Sequence, residues 1–165
     1  MCCIEGEINI GVDVDGTLTN ERLGEEVMTL TPRQIEKRYM ECTLKKGADI
    51  LFQKGINSFA ITGRRETYKE VTKDWFKMVG IPYKELVMVP NNFYPNDFFD
   101  LKKYIDFKIN SHLQRNIKYG LDDSIYVINA LKRNGIIACK VDEDFRNAFE
   151  NLFVRKQNKN RIKIE

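Results

Sequence analysis

The stretch that decides the fold is Gly11-Val12-Asp13-Val14-Asp15-Gly16-Thr17-Leu18-Thr19. It sets two carboxylates, Asp13 and Asp15, at the end of an apolar run and follows them with a glycine turn and two hydroxyls. Positions i and i+2 of a strand point to the same side, so both acids project into one small volume. Burial and like-charge repulsion are costly there, and a cation is needed beside them. A hard divalent metal meets that need, because Mg²⁺ takes oxygen ligands and is usually held by one or two protein carboxylates beside substrate phosphate.

Outward from this stretch, short apolar runs alternate with longer helical patterns, the layout of βα units and a parallel sheet. Strands are expected at Ile8 to Val14, Ile56 to Ile61, Glu85 to Val89, Ile117 to Leu121 and Ile136 to Val141. They lack polar alternation, as strands covered on both faces do. Pro32 to Thr43 reads as a helix with Thr31 as N-cap and Pro32 at its first position. Lys45 to Gln53 reads as a second, closed by Gly55. Thr67 and Glu70 have capping-box spacing for a helix that runs to Val79 and is ended by Gly80. Asn96 to Arg115 carries Phe98, Leu101, Ile105, Ile109 and Leu113 at spacings of three and four, which predicts one continuous amphipathic helix. Ser124 to Arg133 and Asp144 to Leu152 supply the last two helices.

A length of 165 residues fits one domain with a substantial core, and the sequence shows neither repeats nor an interdomain linker. No apolar run approaches the ~20 residues that span a bilayer. The start, Met1 to Glu7, lacks the basic and apolar regions of a secretory signal, so a cytoplasmic location is expected. Cys2, Cys3, Cys42 and Cys139 form neither a C-x-x-C pair nor a Cys/His cluster and read as reduced thiols. The net charge of +3 is too small to announce nucleic acid. Much of it lies between Arg155 and Lys163 in a tail, 153–165, that is most simply a solvated end, with contact to a phosphate backbone as the alternative.

In open parallel sheets, ligands bind outside the carboxyl ends of the strands. The first strand ends in Asp13 and Asp15, the second in Thr62-Gly63-Arg64-Arg65, and the fourth in Asp122-Asp123-Ser124. Two acid sets and one hydroxyl-glycine-arginine set are therefore gathered at one edge.

These residues resemble the haloacid dehalogenase (HAD) superfamily of phosphotransferases. Its first motif, an apolar strand followed by Asp-x-Asp-Gly-Thr-Leu-Thr, stands intact from Val12 to Thr19. Its second, a Thr or Ser ending a strand, matches Thr62; its third is a helical lysine; its fourth, an acidic pair, matches Asp122 and Asp123. The resemblance covers roughly residues 8 to 141, and only the first motif is highly specific. It implies an α/β, three-layer Rossmann-like HAD fold, with about five parallel strands and helices on both faces. The whole chain, 1–165, would form a single HAD-like hydrolase domain with a minimal helical cap insertion at 20–43.

The resemblance also implies roles. Asp13 would attack phosphorus and become an aspartyl phosphate, and Asp15 would serve as general acid and then general base. Mg²⁺ would be held by Asp13, by Asp15 through its backbone carbonyl, and by one or both of Asp122 and Asp123. Thr62, the Gly63 amide and a lysine would bind the transferring oxygens, with Gly63 and Arg64 on the substrate side. The lysine comes from Lys102, Lys103 and Lys108. At about 100° per residue the apolar arc of this helix centres near Phe98 and Ile105. Lys102 falls about 40° from that centre, Lys103 lies outside the arc and Lys108 sits at its edge. Lys102 is the expected residue.

One departure concerns the fourth motif, where many members carry a further acid and this chain has Tyr126 and Val127. His112, the only histidine, is expected to be a surface or satisfied residue. With only 49 residues from Asp13 to Thr62, the site is expected to be scarcely covered, which suits a large substrate end or closure by a second subunit. The runs Thr62 to Glu66, Thr72 to Phe76 and Gly80 to Tyr83 resemble 5'(3')-deoxyribonucleotidase-like proteins and the 3'-phosphatase domain of phage-type polynucleotide kinases. Both imply a nucleotide phosphate. A nucleotidase-like phosphatase is the leading expectation, with a polynucleotide 3'-phosphatase and a sugar phosphatase as alternatives. A binding module without turnover would lack Asp13 or Asp15, and neither is lost.

Overall fold

The computed structural model describes residues 7–94 and 99–161, without the side chains of Glu25 and 155–161. Five strands, β1 (Ile8–Val12), β2 (Ile56–Arg65), β3 (Glu85–Val89), β4 (Tyr119–Asp122) and β5 (Ile137–Lys140), form one sheet. All pairings are parallel and the order is β3-β2-β1-β4-β5. The expected strands are present with shifted ends. β1 stops at Val12, so Asp13 and Asp15 stand in the turn beyond it, although the Asp13 amide still donates to the Leu121 carbonyl at 3.0 Å. β2 runs on to Arg65, with a register shift against β3 between Thr62 and Arg65.

The helices are α1 (Pro32–Glu41), α2 (Lys69–Val79), α3 (Leu101–Gln114), α4 (Ile125–Arg133) and α5 (Phe145–Arg161). Thr31 caps α1 as expected, its hydroxyl accepting from the Gln34 amide while the Gln34 side chain accepts from the Thr31 amide. The box expected at Thr67 and Glu70 does not form. A 3-10 turn over Glu66–Tyr68 precedes α2, the Thr67 amide donates to Asn91, and Glu70 pairs with Lys73. Lys45 to Gln53 holds only a 3-10 turn, Ala48–Phe52, because Gly47 takes a φ of 83° and the Lys45 amine turns away. That amine donates to the carbonyls of Gly16 at 2.6 Å and Asp142 at 2.5 Å. α3 begins at Leu101 under an Asp100 cap; the expected start at Asn96 and Phe98 lies outside the described residues, as do Cys2 and Cys3. Cys42 and Cys139 are free thiols. The basic tail also falls largely outside the described side chains.

Strand alternation divides the core between the two faces. Ile10 and Val12 of β1 pack with Tyr39, Trp75, Phe76, Phe149 and Leu152, contributed by α1, α2 and α5. On the other face Phe59 and Ile61 of β2 meet Phe107 of α3, and Ala138 of β5 meets Val127, Ile128 and Leu131 of α4. The result is three layers, with β1 in the middle where strand order reverses. That switch point is where open sheets form ligand crevices. The insertion 20–43 stands over it, its ends tied by the Thr19–Leu44 bridge and by Glu21 accepting from the Thr43 amide at 2.9 Å. Among the described residues no helix is long and apolar enough to cross a membrane.

Candidate active site

Asp13 leaves the end of β1 and is 5 % exposed. Its Oδ1 accepts from the Lys108 ammonium at 2.6 Å, and its Oδ2 accepts from the Thr17 hydroxyl at 3.2 Å. The same ammonium lies 3.1 Å from Asp122 Oδ2 and donates to the Ile61 carbonyl at 2.5 Å. Asp122 is fixed on its other side by the Ser124 amide at 2.9 Å, and Ser124 in turn caps α4. Asp123 pairs with Arg22 from the insertion at 2.8 Å. Oxygens of Asp13, Asp122 and Asp123 all lie within 4.8 Å of one another.

Burial pushes the Asp13 carboxyl up to about 7, against the opposing pull of Lys108. Asp122 and Asp123 are raised by burial as well. For Lys108, burial acts to lower the value, and the adjoining Asp122 and Asp13 outweigh it, so the amine stays charged. When ionised, the three carboxylates leave one negative charge against Lys108 and the solvent-facing Arg22. An all-oxygen donor set with surplus negative charge fits a hard divalent cation such as Mg²⁺. Asp15 does not offer its carboxylate to this cluster.

Asp15 instead faces Arg64, whose Nη2 donates to Oδ1 at 2.6 Å and whose Nε donates to Oδ2 at 3.0 Å. Arg64 is 2 % exposed and lies beneath the Tyr39 ring, 3.8 Å from its centroid. Burial acts against its charge and Asp15 more than restores it. Arg64, expected on the substrate side, therefore has its guanidinium committed to Asp15. Thr62 is fully buried, its hydroxyl accepting from the Arg64 amide at 3.2 Å, while Gly63 lines the cavity.

The expected lysine, Lys102, is exposed, and Lys108 takes the contacts with the acids. The helix is rotated relative to the apolar pattern: Leu101 and Leu113 are 39 % and 50 % exposed, while Lys108, Ser111 and His112 are buried. A helical stripe that faces acids must carry polar groups, so apolar periodicity points along the wrong line. The usable signal was the polar stripe itself, Tyr104, Lys108, Ser111 and His112 at three- and four-residue spacing. His112 is buried, not at the surface, and is satisfied on one side only: its Nδ1 meets the Lys108 carbonyl at 2.7 Å, while its Nε2 has no hydrogen-bond partner among the described residues. The sequence reading also missed Thr17 and Arg22.

Above the acids lies a cavity of about 490 Å³. The insertion supplies one wall with Leu23, Val27, Met28, Ile35 and Tyr39; Tyr94, Phe99 and Tyr104 supply another. Arg22 and Arg65 also line it. The site is thus more enclosed than the short insertion led us to expect.

No protein-family model and no curated protein matches the sequence. Solved structures do match in shape. A chain of the Pnkp1/Rnl/Hen1 RNA repair complex aligns with a TM-score of 0.57 and 20 % identity over 87 % of this chain, which spans 45 % of that one. The HAD domain of the effector protein Lem4 from Legionella pneumophila, as an inactive mutant, aligns with a TM-score of 0.56 and 12 % identity over 98 % of this chain and 100 % of that one. The D,D-heptose 1,7-bisphosphate phosphatase from B. bronchiseptica, complexed with magnesium and phosphate, gives a TM-score of 0.55 and 12 % identity over 89 % of this chain and 87 % of that one. The chain has the HAD fold.

Proposed function

We propose that this protein is a Mg²⁺-dependent phosphomonoesterase that works through an aspartyl phosphate on Asp13. The observation that carries the reading is the convergence of Asp13, Asp122 and Asp123 on one another, with Lys108 held between Asp13 and Asp122, at the floor of a cavity that Asp15 also lines. Asp13 Oδ1 and Oδ2 are oriented by Lys108 and Thr17, which suits attack on phosphorus. As the Asp13–phosphorus bond forms, the bond to the leaving oxygen breaks and that oxygen takes a proton from Asp15. Water then attacks the same phosphorus, gives its proton back to Asp15 and frees phosphate together with the Asp13 carboxylate. Lys108 and the Gly63 amide would stabilise charge on the transferring oxygens. Bound by Asp13, Asp122, Asp123 and the Asp15 carbonyl, Mg²⁺ would neutralise the carboxylates that a phosphate dianion has to approach.

We read the substrate as a nucleotide. Tyr39, Tyr68, Tyr94, Phe99 and Tyr104 line the cavity beside Arg22 and Arg65, and aromatic faces next to cations suit a base and its phosphate. A polynucleotide 3' end is a second reading, supported by the likeness to a chain of an RNA repair complex and by the exposed Ile125 and Tyr126 just beyond Ser124. The test is phosphate release with Mg²⁺ over mononucleotides, 3'-phosphorylated oligonucleotides and sugar phosphates, run beside Asp13→Asn. Release that Asp13→Asn abolishes is expected, and mononucleotides are expected to lead. Undiminished release by Asp13→Asn overturns the mechanism, whereas a preference for sugar phosphates overturns only the substrate.

A further inference from the structure

The buried stripe of α3 is seated on glycines. Tyr104, Lys108 and His112 recur every four residues and so stack on one side of the helix. A Cβ built on Gly63 would meet Tyr104 Cε2 at 3.0 Å. At the far end, a Cβ on Gly11 would stand 2.3 Å from His112 Nε2, and one on Gly120 would stand 3.1 Å from the same atom. None of these three glycines has positive φ, so the crowding above them, and not the backbone, disfavours a side chain; it is severe at Gly11, shared with Leu131 Cδ1 at 2.9 Å over Gly120, and milder at Gly63.

Gly11 and Gly120 are register partners on β1 and β4, and together they open a notch in the face of the sheet. Asp13 and Asp122 lie two residues further along the same chains, on the same face. Two strand residues advance about 6.6 Å and four helix residues about 6 Å. The helix also runs against the strands, with Lys108 before His112 where Gly11 comes before Asp13. When the imidazole enters the glycine notch, the spacing therefore brings the Lys108 amine over the two acids.

The ring is tied as well as seated. His112 Nδ1 lies 2.7 Å from the Lys108 carbonyl, and Nε2 has no partner among the described residues. The nitrogen facing a carbonyl must carry hydrogen, and a second N–H on the buried Nε2 would find no acceptor among the described residues, so the ring is neutral and donates through Nδ1 to the backbone of the residue whose amine it aligns. We propose that His112 is a positioning residue for Lys108: its flat ring, lodged over Gly11 and Gly120, sets the depth at which α3 docks and holds the ammonium between Asp13 and Asp122. The seating stands on geometry; its consequence for turnover rests on the phosphatase reading given above.

Two readouts separate these layers. Under native conditions Lys108 of the wild type, 1 % exposed, is expected to resist reductive methylation, read by peptide mass spectrometry. His112→Ala and Gly11→Ala are expected to speed its modification about tenfold or more, as docking of α3 loosens. Where Gly11→Ala fails to fold, Gly11→Ala/His112→Ala removes the ring that the new methyl meets; it is expected to fold and still leave Lys108 reactive. In turnover, His112→Ala is expected to lower kcat about tenfold with a smaller change in KM, and to lower it no further in a Lys108→Met background. Unchanged labelling of Lys108 in folded His112→Ala overturns the proposal. An equal loss of kcat in both backgrounds overturns it too, since a merely structural residue would act alike in each. If the wild type releases no phosphate from any substrate, the labelling alone decides the seating, and the phosphatase reading falls separately.

Discussion

Arg64 grips both oxygens of Asp15, at 2.6 and 3.0 Å, while Tyr39 of the inserted helix covers the guanidinium. The acid that the proposed mechanism needs mobile in its proton is thus fixed in position by a buried fork. The insertion reaches the chemistry through that fork, not only through the substrate. A lysine offers a point charge in place of two parallel donors and does not stack flat on a ring. Arg64→Lys is therefore expected to lower kcat about 10- to 100-fold, within the range that a general acid contributes, with KM changed less. Steady-state kinetics on the best substrate check this.

Lys108 and Lys102 separate cleanly. Lys108→Met removes the cation between Asp13 and Asp122 and is expected to cost about 10²- to 10³-fold in kcat, the scale of losing one preorganised charge-stabilising group. Lys102→Met, at an exposed position, is expected to stay within about twofold, as surface changes usually do. A comparable loss at Lys102 would overturn the assignment.

His112 carries a pH signature in stability. Burial holds its imidazole down to about 4 from an ordinary 6.5. Between those values the unfolded chain binds a proton that the folded chain refuses, so stability falls as pH drops from about 6.5 to about 4 and is unaffected by this group above that range. The cost reaches at most about 3 kcal/mol at the acid end. Urea midpoints of the wild type and His112→Asn across this window isolate the contribution from that of the raised acids. The wild type is expected to lose more stability on acidification than the variant; parallel curves would contradict the assignment.

The crowded acids predict stabilisation by metal. A ligand that binds only the folded state raises stability with the logarithm of its concentration above Kd. Added Mg²⁺ is expected to raise Tm in wild type and to do so far less in Asp122→Asn/Asp123→Asn, followed by thermal denaturation with and without a chelator.

Strand identity was legible because parallel strands buried on both faces read as plain apolar runs, and the Asp13 to Thr19 motif named the end of the sheet that matters; the order β3-β2-β1-β4-β5 came only with the structure. The lysine was not legible by periodicity, because Lys108, Ser111 and His112, with half-buried Tyr104 on the same side, form an inward stripe that is largely polar while Leu101 and Leu113 face outward. The pairing of Arg64 with Asp15 escaped as well: a Thr-Gly-Arg run fixes a strand end, but nothing local says that the guanidinium turns inward beneath a ring from residue 39. The Thr67 and Glu70 box failed for the opposite reason, since a local pattern yielded to the Asn91 and Lys73 contacts around it.

The central claim is that Asp13 itself takes the phosphoryl group. Enzyme mixed with Mg²⁺ and its best phosphomonoester, quenched in the first turnovers and reduced with borohydride, should yield homoserine at position 13 in peptide mass spectra, and nowhere else. Rapid phosphate release with residue 13 recovered wholly as aspartate, or with homoserine at another acid, would contradict the account.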